Sequence, residues 1–222
     1  MSKGTRVDLY SRLGVTATTS PQPQRSQADP NTTLRVGGWL FRQRTWLPLP
    51  FVAAILLVPG SRTVKPAPFW LLGATLVLAG EALRLWAVHH IGVISRTRSD
   101  RLGPLISTGP FSLVRNPLYL GNVALWAGFL ASARLVWMAP LIFVVLGLEY
   151  HAIVRWEEHL LATRFGDSYR AYAARVPRWV PTCAPIEQAS NRASSWREAL
   201  FSERGTLIAI AAGYLLLYAK SR

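Results

Sequence analysis

Two stretches in the first half of the chain are apolar enough to lie in a membrane. Phe69 to Ile91 is the clearer one, because a helix of this length, rising 1.5 Å per residue, crosses a hydrocarbon core of about 30 Å. The other, Trp46 to Pro59, lengthens backward only if Arg42 and Arg44 extend their charged groups to the membrane surface. The pattern predicts one regular membrane-spanning helix and one less regular one.

The apolar pattern in the second half predicts a helical hairpin. Residues from Leu118 to Tyr150 stay apolar for longer than one crossing needs, and the segment 131–134 interrupts them near the middle. Small residues recur at helical spacing in the first arm, and we expect them to let the two arms of the hairpin approach closely. These small residues are Gly121, Ala124, Gly128 and Ala131.

The last apolar run, Leu207 to Ala219, is short, so an interfacial or partly inserted helix competes there with a full crossing. The composition agrees with a membrane protein, because 50% of the 222 residues are hydrophobic. Many Trp and Tyr residues lie beside the apolar runs, where their rings reach the headgroups. The predicted fold is all-α: an integral membrane protein with four or five membrane-embedded helices and a cytoplasmic cap.

The positive charge of the chain follows the membrane pattern. A formal charge of +14 on a soluble domain would indicate nucleic acid, but here Lys and Arg flank the apolar segments, and we expect no nucleic-acid partner. Most of them fall in the arm up to Thr45, in the loop 92–117 and in the segment 151–205, which the positive-inside rule places in the cytoplasm. We expect residues 1–35 to be a disordered cytoplasmic arm and 36–222 to be the membrane domain.

A polar cluster from Ser107 to Gly121 leads directly into the first arm of the hairpin. Pro117 suits the first turn of a helix, and Asn116 then falls near the N-cap position. Arg115 stands just outside, and the N–H groups of the first turn would stabilise a carboxylate or a lipid phosphate. A capped helix start with a membrane-surface arginine explains the same residues, so this cluster alone leaves both interpretations open.

A second polar cluster follows the hairpin, from Arg155 to Arg178. The adjacent acids Glu157 and Glu158 stand at the end of an apolar segment, where a carboxylate needs a positively charged partner. A ligand that carries an ammonium and a sulfonium group is one candidate partner, and Arg115 or Arg155 is another. Ordinary ion pairs therefore compete with a binding site as the explanation of the paired acids.

Together the two clusters form an ordered set of short motifs between residues 105 and 181. The motif residues are Leu105, Ile106, Gly109, Phe111, Arg115, Asn116, Pro117, Tyr119, Gly121, Glu157, Glu158, Leu161, Phe165, Gly166, Tyr169, Tyr172, Val176 and Pro177. In composition and order they resemble the isoprenylcysteine carboxyl methyltransferase family, whose pattern contains Arg-His-Pro-x-Tyr-x-Gly and Glu-Glu-x-x-Leu. The upstream segment 83–87 is also similar to the preceding membrane helix of that family.

The resemblance implies an integral membrane methyltransferase that binds S-adenosylmethionine in a cytoplasmic catalytic cap and takes a lipid or lipid-like substrate from the bilayer. Glu157 would bind the charged amino-acid end of the cofactor, and Arg115 and Glu158 are the catalytic candidates. No metal is required for this chemistry. The other positions expected to line the cofactor are Leu105, Ile106, Phe111, Asn116, Pro117, Leu118 and Tyr119.

Two departures from the family pattern leave the methyl acceptor open. Asn116 replaces the family histidine, and phosphatidylethanolamine N-methyltransferases also show Asn-Pro-x-Tyr here. Phe111 replaces a tyrosine and loses its hydroxyl. A phospholipid amine therefore competes with a prenylated carboxylate as the acceptor. Glu81, near the middle of the span 69–91, can pair with Arg84 one helical turn away, so lining of a substrate cavity competes there with a structural ion pair. A noncatalytic membrane scaffold or transport subunit, in which Glu81, Arg84 and the paired acids stabilise helix packing, is the alternative from another class.

Overall fold

All regular structure is helical in the ranges that the structure, a computed structural model, describes, namely residues 30–61, 66–92, 105–183 and 195–221. Short 3-10 helices cover Gly109–Ser112 and Val136–Met138. The predicted all-α class is therefore confirmed within these ranges. The helices are α1 (Pro30–Gln43), α2 (Leu49–Leu57), α3 (Pro66–Ile91), α4 (Pro117–Ser132), α5 (Ala139–Phe165), α6 (Asp167–Arg175) and α7 (Trp196–Ser221).

Three helical segments within the described ranges are long and apolar enough to cross a membrane. They are α3, the segment Val136–Phe165 that contains α5, and α7. The chain is an integral membrane protein with these three candidate spans, fewer than the four or five embedded helices that the sequence predicted. The difference lies in α2 and α4, which have only 9 and 16 residues.

The two apolar runs that were hardest to interpret form helices of unequal length. The stretch from Trp46 to Pro59 becomes the short helix α2, because the turn at 44–48 separates it from α1. The run from Leu207 to Ala219 instead belongs to α7, which begins at Trp196 and has 26 residues. The polar residues before Leu207 are therefore helical and bring this last run to a spanning length.

The small residues of α4 pack against α3, not against the other arm of the hairpin as predicted. A Cβ atom built on Gly121 would lie 2.8 Å from the carbonyl oxygen of Gly80, and one on Gly128 would lie 2.6 Å from that of Gly73. Gly73 and Gly80 repeat at the same interval as Gly121 and Gly128. The two helices therefore approach at matched glycine positions, which explains why α3 and not α5 is the close neighbour of α4.

The apolar core lies at the end of the bundle that contains the turn between α4 and α5. Leu130, Leu135, Ile142 and Leu217 are fully or almost fully buried there, and Ile55 joins them from α2. These residues belong to α2, α4, α5, α7 and the turn, so the core joins elements that are distant in sequence. A separate cluster of buried residues lies at the opposite end of the bundle.

The opposite end carries a smaller core that holds α6 in place. Tyr169, Tyr172 and Val176 are buried, and they pack against Leu105 and Leu161. This cluster corresponds to the cap that the sequence predicted after the hairpin. It joins the segment that precedes α4 to the segment that follows α5.

Helix α1 lies against α5 near the cap. Gly37 packs against the backbone of Ala152, and the rings of Phe41 and Trp156 are 5.0 Å apart. Because α1 begins at Pro30, its first turns occupy the last part of the 1–35 arm that we predicted to be disordered. Residues 1–29 of that arm lie outside the described residues.

Candidate functional site

A cavity of about 550 Å³ opens between the motif segment, α5 and α6. All ten residues that the sequence selected as cofactor-binding or catalytic line it. They are Leu105, Ile106, Phe111, Arg115, Asn116, Pro117, Leu118, Tyr119, Glu157 and Glu158. Residues that are about fifty positions apart in the sequence therefore line the same cavity.

Backbone hydrogen bonds join the segment before α4 to the segment after α6. The N–H of Arg115 donates to the carbonyl of Pro177 at 2.9 Å, and the N–H of Thr182 donates to the carbonyl of Leu113 at 2.9 Å. A side-chain bond reinforces this pairing, since Asn116 Nδ2 donates to the carbonyl of a residue in the same segment, Arg178, at 3.1 Å. The two polar clusters of the sequence thus form one structural unit.

Helix α4 begins at Pro117, as the sequence predicted, with Asn116 at the N-cap position. The Asn116 side chain does not bond the first turn of the helix, and its Nδ2 instead donates to the carbonyl of Arg178. The first N–H groups of α4 are thus not capped by this side chain. They lie at the wall of the cavity, where the dipole of the helix favours a negative group.

Gly109 lets the motif segment lie directly on α3. Its φ of +58° is in the left-handed region, which glycine adopts without steric cost. A Cβ atom at this position would also lie 2.6 Å from ring carbons of His90. Both facts explain why the pattern needs glycine here.

Glu158 is held by two arginines. Its Oε1 lies 2.9 Å from Arg115 Nη1, and Arg178 Nε donates to the same oxygen at 2.9 Å. The second oxygen, Oε2, accepts a further bond from Arg178. The sequence left Arg115, Arg155 and a cationic ligand open as partners of the paired acids; the structure places Arg115 on Glu158, together with Arg178, which the sequence missed although it directly follows the Val-Pro motif. The hydrogen bonds to Glu158 raise the pKa of Arg178 above its ordinary value.

Glu157 points to a different part of the cavity. Its Oε2 accepts a hydrogen bond of 3.0 Å from the Tyr119 hydroxyl, and the Tyr119 ring lies 5.0 Å from that of Tyr150. Arg44, from the turn between α1 and α2, also lines the cavity and acts on Glu157 electrostatically. The two acids therefore take separate partners.

Tyr172 and Tyr169 bring two hydroxyl groups into the cap. The Tyr172 hydroxyl donates to the carbonyl of Phe111 at 2.8 Å. Burial raises the pKa of both tyrosines, and Glu158 raises that of Tyr169 further, although the neighbouring Arg115 acts in the opposite direction. Both hydroxyls are therefore neutral donors at physiological pH.

Two buried polar atoms in the cavity make no hydrogen bond of normal geometry within the described part of the chain, Arg115 Nε and the Tyr169 hydroxyl. The two groups lie next to each other, and a side-chain interaction with Arg115 lowers the pKa of Tyr169. Together they form a polar part of the cavity wall, since both residues line the cavity.

The sequence did not select the deeper polar residues that also line the cavity. It noted Arg84 as a partner of Glu81, and the structure confirms that ion pair at 3.3 Å. The Arg84 side chain lines the cavity as well. The only sign in the sequence that Arg84 reaches the cavity was its charge inside an apolar span. The other deeper polar residues are Asn122, Glu149, Tyr150 and Thr206.

The family pattern described as phospholipid methyltransferase matches residues 69–168, which include most of α3, all of α4 and α5, and most of the motif residues. Over these residues the chain matches this family of membrane methyltransferases, and two of its curated relatives are isoprenylcysteine O-methyltransferases. Helices α1, α2 and α7 lie outside the matched residues. No solved structure matches the chain.

Several curated proteins are similar to the chain over part of their length. The nickel-cobalt-cadmium resistance protein NccN of Alcaligenes xylosoxydans xylosoxydans is 32% identical over 50% of this chain and 47% of its own length. The cobalt-zinc-cadmium resistance protein CzcN of Cupriavidus metallidurans is 30% identical over 68% of this chain and 65% of its own. The protein-S-isoprenylcysteine O-methyltransferase B of Arabidopsis thaliana is 28% identical over 60% and 68%. The chain therefore spans about half to two thirds of these relatives.

Proposed function

We propose that this chain transfers a methyl group from S-adenosylmethionine to a lipid or lipid-like acceptor on the cytoplasmic side of the membrane. The observation that carries the proposal is the position of all ten family-derived residues on the wall of one cavity. The cavity volume of about 550 Å³ is within the range of sites for ligands of this size. Arg115 and the Tyr169 hydroxyl add polar groups to the cavity wall.

The residues on the wall fit the chemical parts of the cofactor. Glu157, with one oxygen bonded to Tyr119, is the group we assign to the cofactor's ammonium. When bound, the cofactor supplies a methyl group activated by the positive sulfur. The apolar side chains that we assign to its uncharged part are Leu105, Ile106, Phe111, Pro117 and Leu118.

The contribution of the protein is alignment and exclusion of water, because displacement at a methyl carbon needs the nucleophile in line with the bond that breaks. Glu158 holds Arg115 and Arg178 in place through both of its oxygens. This arrangement favours a role for Glu158 in fixing Arg115 at the cavity wall. Arg115 is then the residue that we assign to a negative group of the ligands.

Two acceptor classes remain, a prenylated carboxylate and a phospholipid amine. The Asn116 amide is bonded to the carbonyl of Arg178, so it shapes the wall in either case. The production of S-adenosylhomocysteine on addition of phosphatidylethanolamine or of a farnesylcysteine analogue would identify the class. Two relatives are named for metal resistance, and the described residues contain no group of three His, Cys, Asp or Glu side chains that could hold a metal ion.

Calorimetry with S-adenosylmethionine and S-adenosylhomocysteine tests the proposal directly. A methyltransferase binds both compounds, whereas a membrane scaffold or transport subunit binds neither. Saturable binding of both by the purified chain in lipid nanodiscs is the expected result. The absence of binding by a well-folded protein would refute the proposal and favour the scaffold.

A further inference from the structure

A polar cluster at the inner end of the cavity joins α3, α4 and α7 around one arginine. Arg84 Nε donates to Glu81 at 3.3 Å, and Nη2 donates to Glu203 at 2.7 Å and to Thr206 at 3.2 Å. Nη1 donates to Asn122. An arginine has five N–H donors, so these four contacts with described residues hold the guanidinium group in one orientation and leave one Nη1 hydrogen for a further acceptor.

The cluster has two layers relative to the cavity. Arg84, Asn122 and Thr206 line the cavity wall, whereas Glu81 and Glu203 are buried behind it, with 5% and 0% of their surface exposed. The guanidinium group therefore stands between the acids and the cavity. The acids contact Arg84 and do not meet a ligand directly.

This layer lies deeper than the motif residues. Tyr150 precedes Glu157 by two turns of α5, which places it roughly 10 Å further along the helix. Both residues line the same cavity, as does Asn122, one turn into α4 from Tyr119. The cavity thus continues past the motif residues to a second polar end between the spans.

Packing alone does not explain why Glu203 is an acid. A carboxylate inside a membrane segment is costly, and an apolar pair of similar volume generally stabilises helix packing as well as a buried ion pair. In α7 the buried residues are only Ala199, Glu203 and Leu217. The helix therefore presents a charge to Arg84 at one of its few buried positions.

We propose that Arg84 contacts the polar head of the methyl acceptor and that Glu203 is the positioning residue that fixes Arg84 in the cavity wall. This inference rests on the proposed function and extends it to α7, which lies outside the family match. The remaining Nη1 hydrogen requires an oxygen on the acceptor. A phospholipid head and a prenylated carboxylate both carry one.

The test compares four variants of the full chain in phosphatidylcholine nanodiscs: Glu203→Ala, Glu203→Gln, Arg84→Lys and the double variant Arg84→Lys/Glu203→Ala. Phosphatidylethanolamine and N-acetyl-S-farnesylcysteine serve as acceptors, and the acceptor KM is measured with whichever the wild type methylates. Affinity for S-adenosylhomocysteine is measured separately by calorimetry. Glu198→Ala is the matched control, since Glu198 is exposed on the same helix.

We expect Glu203→Ala to raise the acceptor KM about tenfold, the effect of losing a charged hydrogen bond, with the affinity for S-adenosylhomocysteine unchanged. Glu203→Gln should raise it less, because an amide oxygen still accepts from Arg84. The double variant should be no worse than Arg84→Lys alone, because Glu203 acts through Arg84. Glu198→Ala should match the wild type.

An unchanged acceptor KM in both Glu203 variants, beside an active wild type, would overturn this inference alone. Additive effects in the double variant would also overturn it, since they would mean that Glu203 acts independently of Arg84. A wild type that binds no S-adenosylhomocysteine would refute the proposed function and this inference with it.

Discussion

At the scale of single residues, the adjacent acids have different tasks because neighbouring positions on a helix point about 100° apart. Glu158 turns to Arg115 and Arg178, and Glu157 turns to Tyr119. The carboxylate between two arginines is compensated within the protein. Glu157 is bonded to a neutral phenol and has Arg44 as its nearby positive charge, so it is the better of the two groups for a cationic ligand.

Glu157→Ala should weaken binding of S-adenosylhomocysteine by about 1.5 to 3 kcal/mol, the range for a hydrogen bond to a charged group. The midpoint of thermal unfolding should change little, because Glu157 lies at the cavity and not in either apolar core. Calorimetry measures the first quantity, with exposed Glu198→Ala as the charge-matched control. Wild-type affinity in a folded Glu157→Ala protein would remove Glu157 from the site.

Asn116→His should keep much of the activity, whereas Asn116→Ala should lose it. The Asn116 amide donates to the carbonyl of Arg178 at 3.1 Å, and a histidine ring N–H of similar reach replaces that donor while alanine does not. Turnover of both variants from about pH 6 to about pH 9, a range that brackets the imidazole titration, tests this expectation.

The pH profile of Asn116→His also distinguishes the acceptors. A protonated imidazole repels a cationic amine, so activity falling towards low pH in this variant and not in the wild type would indicate a phospholipid amine. A histidine variant as inactive as the alanine variant, with cofactor affinity intact in both, would contradict the shaping role of Asn116.

At the scale of elements, the close contact of α3 and α4 determines where the motif segment lies. The helices meet backbone to backbone at Gly73, Gly80, Gly121 and Gly128, and α4 begins at the cavity wall. A displacement of α4 would move Asn116 and Tyr119 with it. The glycines therefore support the site without touching it.

Gly128→Ala should lower stability by about 1 to 3 kcal/mol, as overpacking does. The added Cβ atom would lie 2.6 Å from the Gly73 carbonyl oxygen and 2.6 Å from Val77 Cγ2, so α3 or α4 must shift. Gly147→Ala in α5 is the matched control, because no atom lies within 4 Å of its Cβ position. Denaturation in detergent measures both, and equal midpoints for the two variants would contradict the close contact.

At the scale of the whole molecule, the helices α3, α4, α5 and α7 alternate in direction, and the two ends of the bundle differ. The cap, with Glu158, Arg115 and Arg178, lies at one end. The turn with Trp137 lies at the other. Because most Lys and Arg residues occur in the segments beside the cap, we propose that the cap is cytoplasmic.

Labelling with a membrane-impermeant thiol reagent tests this orientation. The native Cys183 is exposed and follows the cap, so it should react only after intact cells are permeabilised. Arg134→Cys in a Cys183→Ser background should react without permeabilisation, because the partly exposed Arg134 lies in the turn that precedes the span Val136–Phe165, at the opposite end. The reverse pattern would invert the topology and place the cavity outside the cytoplasm.

The sequence by itself determined the helical class, the long span α3, the start of α4 at Pro117 and the family. These follow from local properties, namely apolar length, the backbone of proline and the order of short motifs. The motifs also selected ten residues of one cavity wall, because a family pattern carries spatial information that composition does not.

Only the tertiary structure decided which helices meet. The helical spacing of Gly121 and Gly128 indicated a close helix contact, but this spacing does not identify the partner helix. The matching glycines of α3 make α3 that partner. The pairing of Arg84 with Glu203 joins residues more than a hundred positions apart. Such a contact depends on where α7 packs, and no periodicity in either segment specifies that position.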